Sequence, residues 1–245
     1  MKNQKIKNTV HTSRTIMFSE LSRIMAHGID KKSFEESFAD NVAGKLSKSN
    51  QIKTNRYLKQ LYNFDFTDDS FSAFYWFWKN APESELPTIT LLYAIKNDYL
   101  LAESVEIINS TPLDIKVPIE TLEKNILSSY PERYSKSTLR SLAQNIASSW
   151  KQSGFILGRT KNIRVQPKVN YWTVTFALLL SYLEDRRGEF LLKSIYIKAL
   201  GLPESNLRDL MVRASQAGLM QYQHSGHVTT IMFPQLLKKI GIYGQ

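Results

Sequence analysis

Apolar residues recur at three- and four-residue intervals through the first half of the chain, with short polar stretches between the runs. This is the pattern of amphipathic helices that pack through one face. The spacing predicts helices at residues 18–27, 33–45, 54–62, 70–80, 87–96, 102–108 and 119–127. Ser33 followed by Glu36 fits a capping box, and Thr54 offers an N-cap oxygen to the helix holding Tyr57, Leu58 and Leu61. Asp68 and Asp69 read as acids at a helix start. The fold class expected is mainly α, with a helical bundle over residues 15–129.

From Ser135 the pattern changes. Leu139, Leu142, Ile146 and Trp150 form one apolar stripe, while Ser137, Arg140, Ser141, Gln144, Ser148 and Lys151 share the opposite arc, with Lys136 in the first turn. Gly154 closes this helix. Phe155, Ile156 and Leu157 then lead through Gly158, Arg159, Thr160, Lys161 and Asn162 into Ile163, Arg164 and Val165, which predicts a β-hairpin with a basic tip, and Lys168 follows it. A helix followed at once by a short basic hairpin is the order of a winged helix-turn-helix, in which the helix enters the major groove and the wing meets the flanking backbone. A solvated amphipathic helix beside a surface hairpin is the alternative. A weaker copy follows: apolar residues 192–200, a turn at 201–203, a helix from Ser205 with Leu207, Leu210, Met211 and Ala214 inward, and a hairpin over 218–233. Its outer helix face mixes Arg208 and Arg213 with Glu204 and Asp209, so a structural or protein-binding role fits this copy at least as well as DNA contact. The expected organisation is a flexible basic tail at 1–14, the bundle at 15–129, and a winged-helix region at 130–245 with units at 130–168 and 184–235.

Charge sharpens this division. The chain of 245 residues carries a net charge of +10, unevenly placed: residues 1–62 hold +7, residues 63–129 hold −7 and residues 130–245 hold +10. No acidic residue lies between Glu132 and Glu184, a stretch that contains Arg133, Lys136, Arg140, Lys151, Arg159, Lys161, Arg164 and Lys168. Clustered cations of this kind suit a polyanionic partner, because they release counterions from a phosphate backbone; an ordinary charged surface is the other reading. The candidate DNA-binding residues are therefore Lys136, Ser137, Arg140, Ser141, Gln144, Ser148, Lys151, Arg159, Lys161, Asn162, Arg164 and Lys168.

Other chemistry finds little support. With no cysteine, disulfides and thiolate metal sites are excluded, and secretion is unsupported. The polar, basic stretch from Met1 to Arg14 lacks the apolar run of a signal peptide. Tyr171–Leu183 is too short for the roughly 20 apolar residues of a membrane span and reads as a buried helix. A cytoplasmic protein without membrane contact is expected. His224 and His227 form an H-x-x-H pair around a turn at Gly226, without an acidic or cysteine ligand nearby, so no metal is expected. No phosphate loop, nucleophile elbow or carboxylate pair in an apolar setting is present, so neither cofactor nor catalysis is expected. The aromatic cluster Phe71, Phe74, Tyr75, Trp76, Phe77 and Trp78 lies among Asp65, Asp68, Asp69, Glu83 and Glu85, which would repel phosphates; core or subunit contact is the expectation there rather than base stacking.

Several segments together resemble the BrxA family, small accessory proteins of bacterial BREX phage-exclusion systems: Thr15-Ile16-Met17-Phe18-Ser19-Glu20, Thr54-Asn55-Arg56-Tyr57-Leu58, Leu91-Leu92-Tyr93-Ala94-Ile95, and Ser137-Thr138-Leu139-Arg140 running to Gly154-Phe155-Ile156. The resemblance spans most of residues 15–240. It implies a helical first half comparable with the NusB antitermination fold, and a non-enzymatic component that binds double-stranded DNA and works with other BREX system proteins. A protein–protein adaptor and a sequence-specific transcriptional regulator are the alternatives.

Overall fold

The computed structural model describes residues 9–31, 33–226 and 228–243. The described residues are mainly helical. α1 (Phe18–Lys31), α2 (Phe34–Ala39), α3 (Lys48–Tyr62), α4 (Asp69–Asn80), α5 (Leu86–Asn97), α6 (Tyr99–Ser110) and α7 (Ile119–Ser129) precede α8 (Lys136–Gln152). Two antiparallel strand pairs then alternate with helices: β1 (Ile156–Leu157) with β2 (Ile163–Arg164), followed by α9 (Tyr171–Leu183), α10 (Glu189–Leu192), α11 (Ile195–Leu200) and α12 (Glu204–Gln216), and β3 (Gln221–Ser225) with β4 (Val228–Met232), closed by α13 (Pro234–Ile240).

Helix starts follow the side chains that can satisfy free N–H groups. Ser33 Oγ accepts from Glu36 N and caps α2, as its spacing with Glu36 predicts. Asp68 accepts from Ser70 N to cap α4, Asp98 accepts from Leu100 N and Leu101 N to cap α6, and Ser135 accepts from Thr138 N to cap α8. Thr54 does not cap α3. The helix starts earlier, at Ser47, whose Oγ accepts from Asn50 N, and Thr54 is buried in mid-helix; the polar run Lys48 to Asn50 conceals this start from an apolar-periodicity reading. The helix expected over 33–45 stops at Ala39, because Asn41 and Gly44 both take positive φ and Asn41 hydrogen-bonds through its side chain to both backbone groups of Lys45. The run 192–200 is likewise split, with Ser194 capping α11 through Ile197 N.

Two helices are buried on every side: Thr88–Ile95 of α5 and Thr173–Tyr182 of α9. α9 packs against α4, α5, α11 and α12, so one apolar cluster runs across residue 130 and joins both halves of the chain. Each buried Leu or Phe of α9 contributes roughly 1.5–3 kcal/mol relative to exposure, which is why a helix of mean apolar character sits here. No helix among the described residues is long and apolar enough to cross a membrane. The aromatic cluster is core: Phe71, Phe74, Phe77 and Trp78 are buried, Tyr62 and Tyr93 stack on Phe74 at 5.9 and 4.5 Å between centroids, and Phe176 of α9 meets Phe77 at 5.0 Å. Tyr75 and Trp76 are half-buried against these rings.

Around α8 the elements follow a definite order. α6 is followed by residues 114–117, which lie along β2: Asp114 N donates to Arg164 O, Arg164 N to Ile115 O, and Val117 N to Asn162 O, at 2.8–2.9 Å. α7 packs on α8, and β1 pairs with β2 on its other side, Ile156 opposite Arg164 and Leu157 opposite Ile163. The second half repeats the order with α9, α11, α12 and the β3–β4 hairpin, which pairs Gln221 with Met232 through Ser225 with Val228.

Candidate nucleic-acid interface

α8 presents three different faces. Leu139, Leu142, Ala143, Ile146, Ala147 and Trp150 are buried against the body, as their stripe predicts. Lys136, Ser137, Arg140, Ser141 and Gln144 are exposed, while Ser148 and Lys151 are half-buried. The third face, Asn145, Ser149 and Gln152, is covered by the N-terminal segment. Asn145 Nδ2 donates to His11 O, Ile16 N donates to Ser149 Oγ, and Phe18 N donates to Gln152 Oε1.

This overturns the expectation of a flexible tail for residues 9–14; residues 1–8 lie outside the described residues. Thr9 Oγ1, Val10 N and His11 Nδ1 all converge on Asp98 Oδ2 at 2.7–2.9 Å, and His11 Nε2 lies 2.9 Å from Ser149 Oγ. With Leu100 N and Leu101 N on its other oxygen, Asp98 serves five donors from two segments of chain. Although burial opposes ionisation, the His11 imidazole and these donors hold the Asp98 carboxyl below its usual value of 3.8. Ser149, His11 and Asp98 stand in the order of a nucleophile, base and carboxylate. They are 0%, 0% and 1% exposed, however, and Ser149 Oγ already bonds Asn145 O and Ile16 N. No substrate reaches a hydroxyl so placed; the group is a clasp that lays the N-terminal segment along α8. A lone polar stretch before the first helix gave no signal for it.

The hairpin beside α8 carries the other candidates. Gly158 and Asn162 both take positive φ, 85° and 52°, and bring the tip Arg159, Thr160 and Lys161 into solvent. Lys151 Nζ donates to Arg159 O at 2.9 Å, tying the end of α8 to this tip; partial burial lowers its proton affinity below that of a free lysine. Lys168 is exposed just beyond β2, and Lys116, absent from the sequence-derived set, is exposed at the single bridge to Ile163. Its place beside the hairpin depends on pairing over 47 positions, which no local pattern reveals.

Three candidates sit differently from their expected role. Arg164 is only 2% exposed: β1–β2 register sets it on the inward face opposite Ile156, where Nε donates to Ile108 O and Nη1 to Phe155 O and Val165 O. Asn162 is also buried. Arg140 is exposed, yet Nη1 lies 3.1 Å from Glu120 Oε1 and 2.8 Å from Glu123 Oε1, both on α7. The stretch without acids in sequence therefore has acids beside it in space. By contrast Lys136, Arg159, Lys161 and Lys168 pair with no carboxylate among the described residues.

In the second repeat, Arg208 Nη2 lies 2.7 Å from Glu204 Oε1 and Nη1 donates to Tyr222 Oη at 3.2 Å. Its exposed surface includes Val212, Val228 and Met232. His224 Nδ1 lies 2.9 Å from Thr229 Oγ1, and His227 lies outside the described residues.

No protein-family model matches this chain, and neither a curated protein nor a solved structure matches it.

Proposed function

We propose that this chain binds double-stranded DNA through its first helix–hairpin repeat, without catalysis, mainly by phosphate contacts of low sequence specificity. The observation that carries the reading is the set Lys136, Arg159, Lys161 and Lys168: exposed and unpaired with carboxylates among the described residues, with Lys136 in the first turn of α8 and the hairpin tip tied to the last turn through Lys151. The order α6, extended segment 114–117, α7, α8, β1, β2, with residues 114–117 and β1 flanking β2, supports reading this repeat as a winged helix-turn-helix with α8 as recognition helix. Lys116 joins the contact set; Arg164 and Asn162 leave it. On the segments that resemble the BrxA family, the chain is a cytoplasmic component of a BREX-type phage defence system, with a NusB-like first half and other BREX proteins as partners.

A random-sequence duplex titrated across a salt series tests this, with an Arg159→Ala/Lys161→Ala/Lys168→Ala variant beside the native chain. All three side chains are exposed, so the fold is retained. Submicromolar binding is expected at low salt; the variant weakens it on the order of 100-fold and lowers the log–log salt slope by about 2.7, at roughly 0.9 per lost phosphate contact. Absence of binding at low salt favours an adaptor role, which the mixed-charge, partly apolar surface of the second repeat also suits. Strong preference for one sequence would instead make the protein a transcriptional regulator.

A further inference from the structure

Behind the β1–β2 hairpin, between α6 and the α11–α12 corner, lies an open cleft of about 1020 Å³. Its floor holds the Arg164 guanidinium, and Asn109, Gln166 and Gly201 stand around it. Arg164 is 2% exposed and has no carboxylate within salt-bridge distance among the described residues. Burial alone acts on its proton affinity, lowering it, with no opposing charge to restore it. Nε and Nη1 are spent on backbone carbonyls, whereas Nη2 makes no hydrogen bond among the described residues. Nη2 points toward Gly201, where an added Cβ would lie 3.1 Å from it, 3.2 Å from Asn109 Oδ1 and 3.4 Å from Gln166 Oε1. A desolvated guanidinium with two free N–H groups facing a cleft is a strong donor to an oxyanion, because it lacks the counter-ion that normally offsets burial.

The cleft around this floor is mixed. Leu113, Leu192, Leu202 and Leu207 supply apolar wall. Lys193 and Lys198 are exposed at its rim. Of the rim acids, Glu204 is engaged by Arg208 and Glu189 Oε1 accepts from Thr229 Oγ1; with Glu106 they leave the lining cationic by one charge. The volume is of the size that encloses a small organic molecule.

We propose that this cleft binds a small organic anion, its phosphate or carboxylate on Arg164 Nη2 and its apolar body against Leu202 and Leu207. The site is separate from the exposed cations of the DNA-binding reading and stands without it. Since Arg164 belongs to β2, an occupant contacts the base of the hairpin from the side opposite its tip.

The test follows backbone amides and arginine Nε–H signals of the full chain by NMR, with phenyl phosphate, inorganic phosphate and a random-sequence duplex titrated separately. Phenyl phosphate is expected to shift Gly201 N–H and Arg164 Nε–H saturably, with Kd below about 1 mM, and inorganic phosphate to act at the same signals about tenfold more weakly for want of an apolar body. Gly201→Ala, whose Cβ fills the cradle, is expected to weaken phenyl phosphate at least tenfold. Because φ at Gly201 is +60°, that variant carries strain, so Leu113→Asp, an exposed position on the wall, serves as the second and is expected to weaken binding several-fold. Lack of a saturable shift with either phosphate, or binding indifferent to Leu113→Asp and to a folded Gly201→Ala, overturns the proposal. So does a duplex that produces the same shifts, since the guanidinium would then belong to the nucleic-acid surface; a duplex that binds without them leaves the cleft a separate site.

Discussion

The two helix–hairpin repeats share an order of elements and differ in what each does with its charge. In the first, four cations around α8 and its short hairpin face solvent unpaired, and the one arginine in the middle of the helix face is held by Glu120 and Glu123 of the preceding helix. In the second, Arg208 is tied within its own helix to Glu204, and the longer β3–β4 hairpin turns Gln221, Gln223, Val228 and Met232 outward. The same scaffold thus carries a surface suited to phosphates in one place and one of balanced charge in the other. Sequence order fixes the scaffold; the placement of acids one helix away decides the surface.

The repeats also differ in how their long helix is secured, and breaking that difference should give the largest effect. α8 is strapped by residues 9–18, whereas among the described residues α12 has no such cover. Asp98→Ala strands the His11 side chain and removes the α6 cap together, so it is expected to destabilise the protein by about 3–5 kcal/mol, measured by urea unfolding. The pH dependence has a fixed sign. A carboxyl held below 3.8 in the folded state gives stability that is full above about pH 4 and is lost as pH falls through the folded value. Asp98→Asn should flatten the acid limb of a stability–pH curve; an unchanged limb would show that other carboxylates govern it.

What the sequence reveals follows from how local each feature is. α8, α9 and α12 emerge within a few residues of their expected bounds, since apolar stripes and runs are local and Ser135 and Asn170 cap their starts. The inward turn of Arg164 does not emerge, because Phe155, Ile156 and Leu157 are all apolar and show no alternation to say which strand face is buried. Only the register, Ile156 opposite Arg164, settles it. Glu120 and Glu123, three apart on one face of α7, carried a readable hint of an acidic stripe, but its meeting with Arg140 depends on how two helices pack. Thr9 and His11 look like solvated tail because a polar residue is buried only where partners await it, and those partners lie 87–138 positions away.

Releasing Arg140 sharpens the comparison from the first repeat's side. Glu120→Gln/Glu123→Gln removes two exposed carboxylates beside the α8 face, so affinity for a duplex at low salt is expected to rise roughly 3- to 10-fold, with the salt slope steeper by about 0.9 if Arg140 then meets a phosphate. Thermal stability should hardly change, since exposed pairs of this type contribute little. An unchanged affinity would assign Arg140 to joining α7 and α8, and move the nucleic-acid contact wholly onto Lys136 and the hairpin.

The smallest effect is expected from the matching change in the second repeat. Glu204→Gln frees Arg208 from its closest carboxylate in the same chemical way, while Tyr222 Oη still holds the guanidinium from β3. If only the first repeat meets DNA, duplex affinity stays within about twofold of the native value, because a cation freed away from the phosphates gains only screened, long-range attraction. A rise comparable with that of the Glu120/Glu123 variant would place α12 against the backbone as well. The two repeats would then contact DNA together, and the shortest duplex that binds at full affinity would be longer than one helix–hairpin unit can cover.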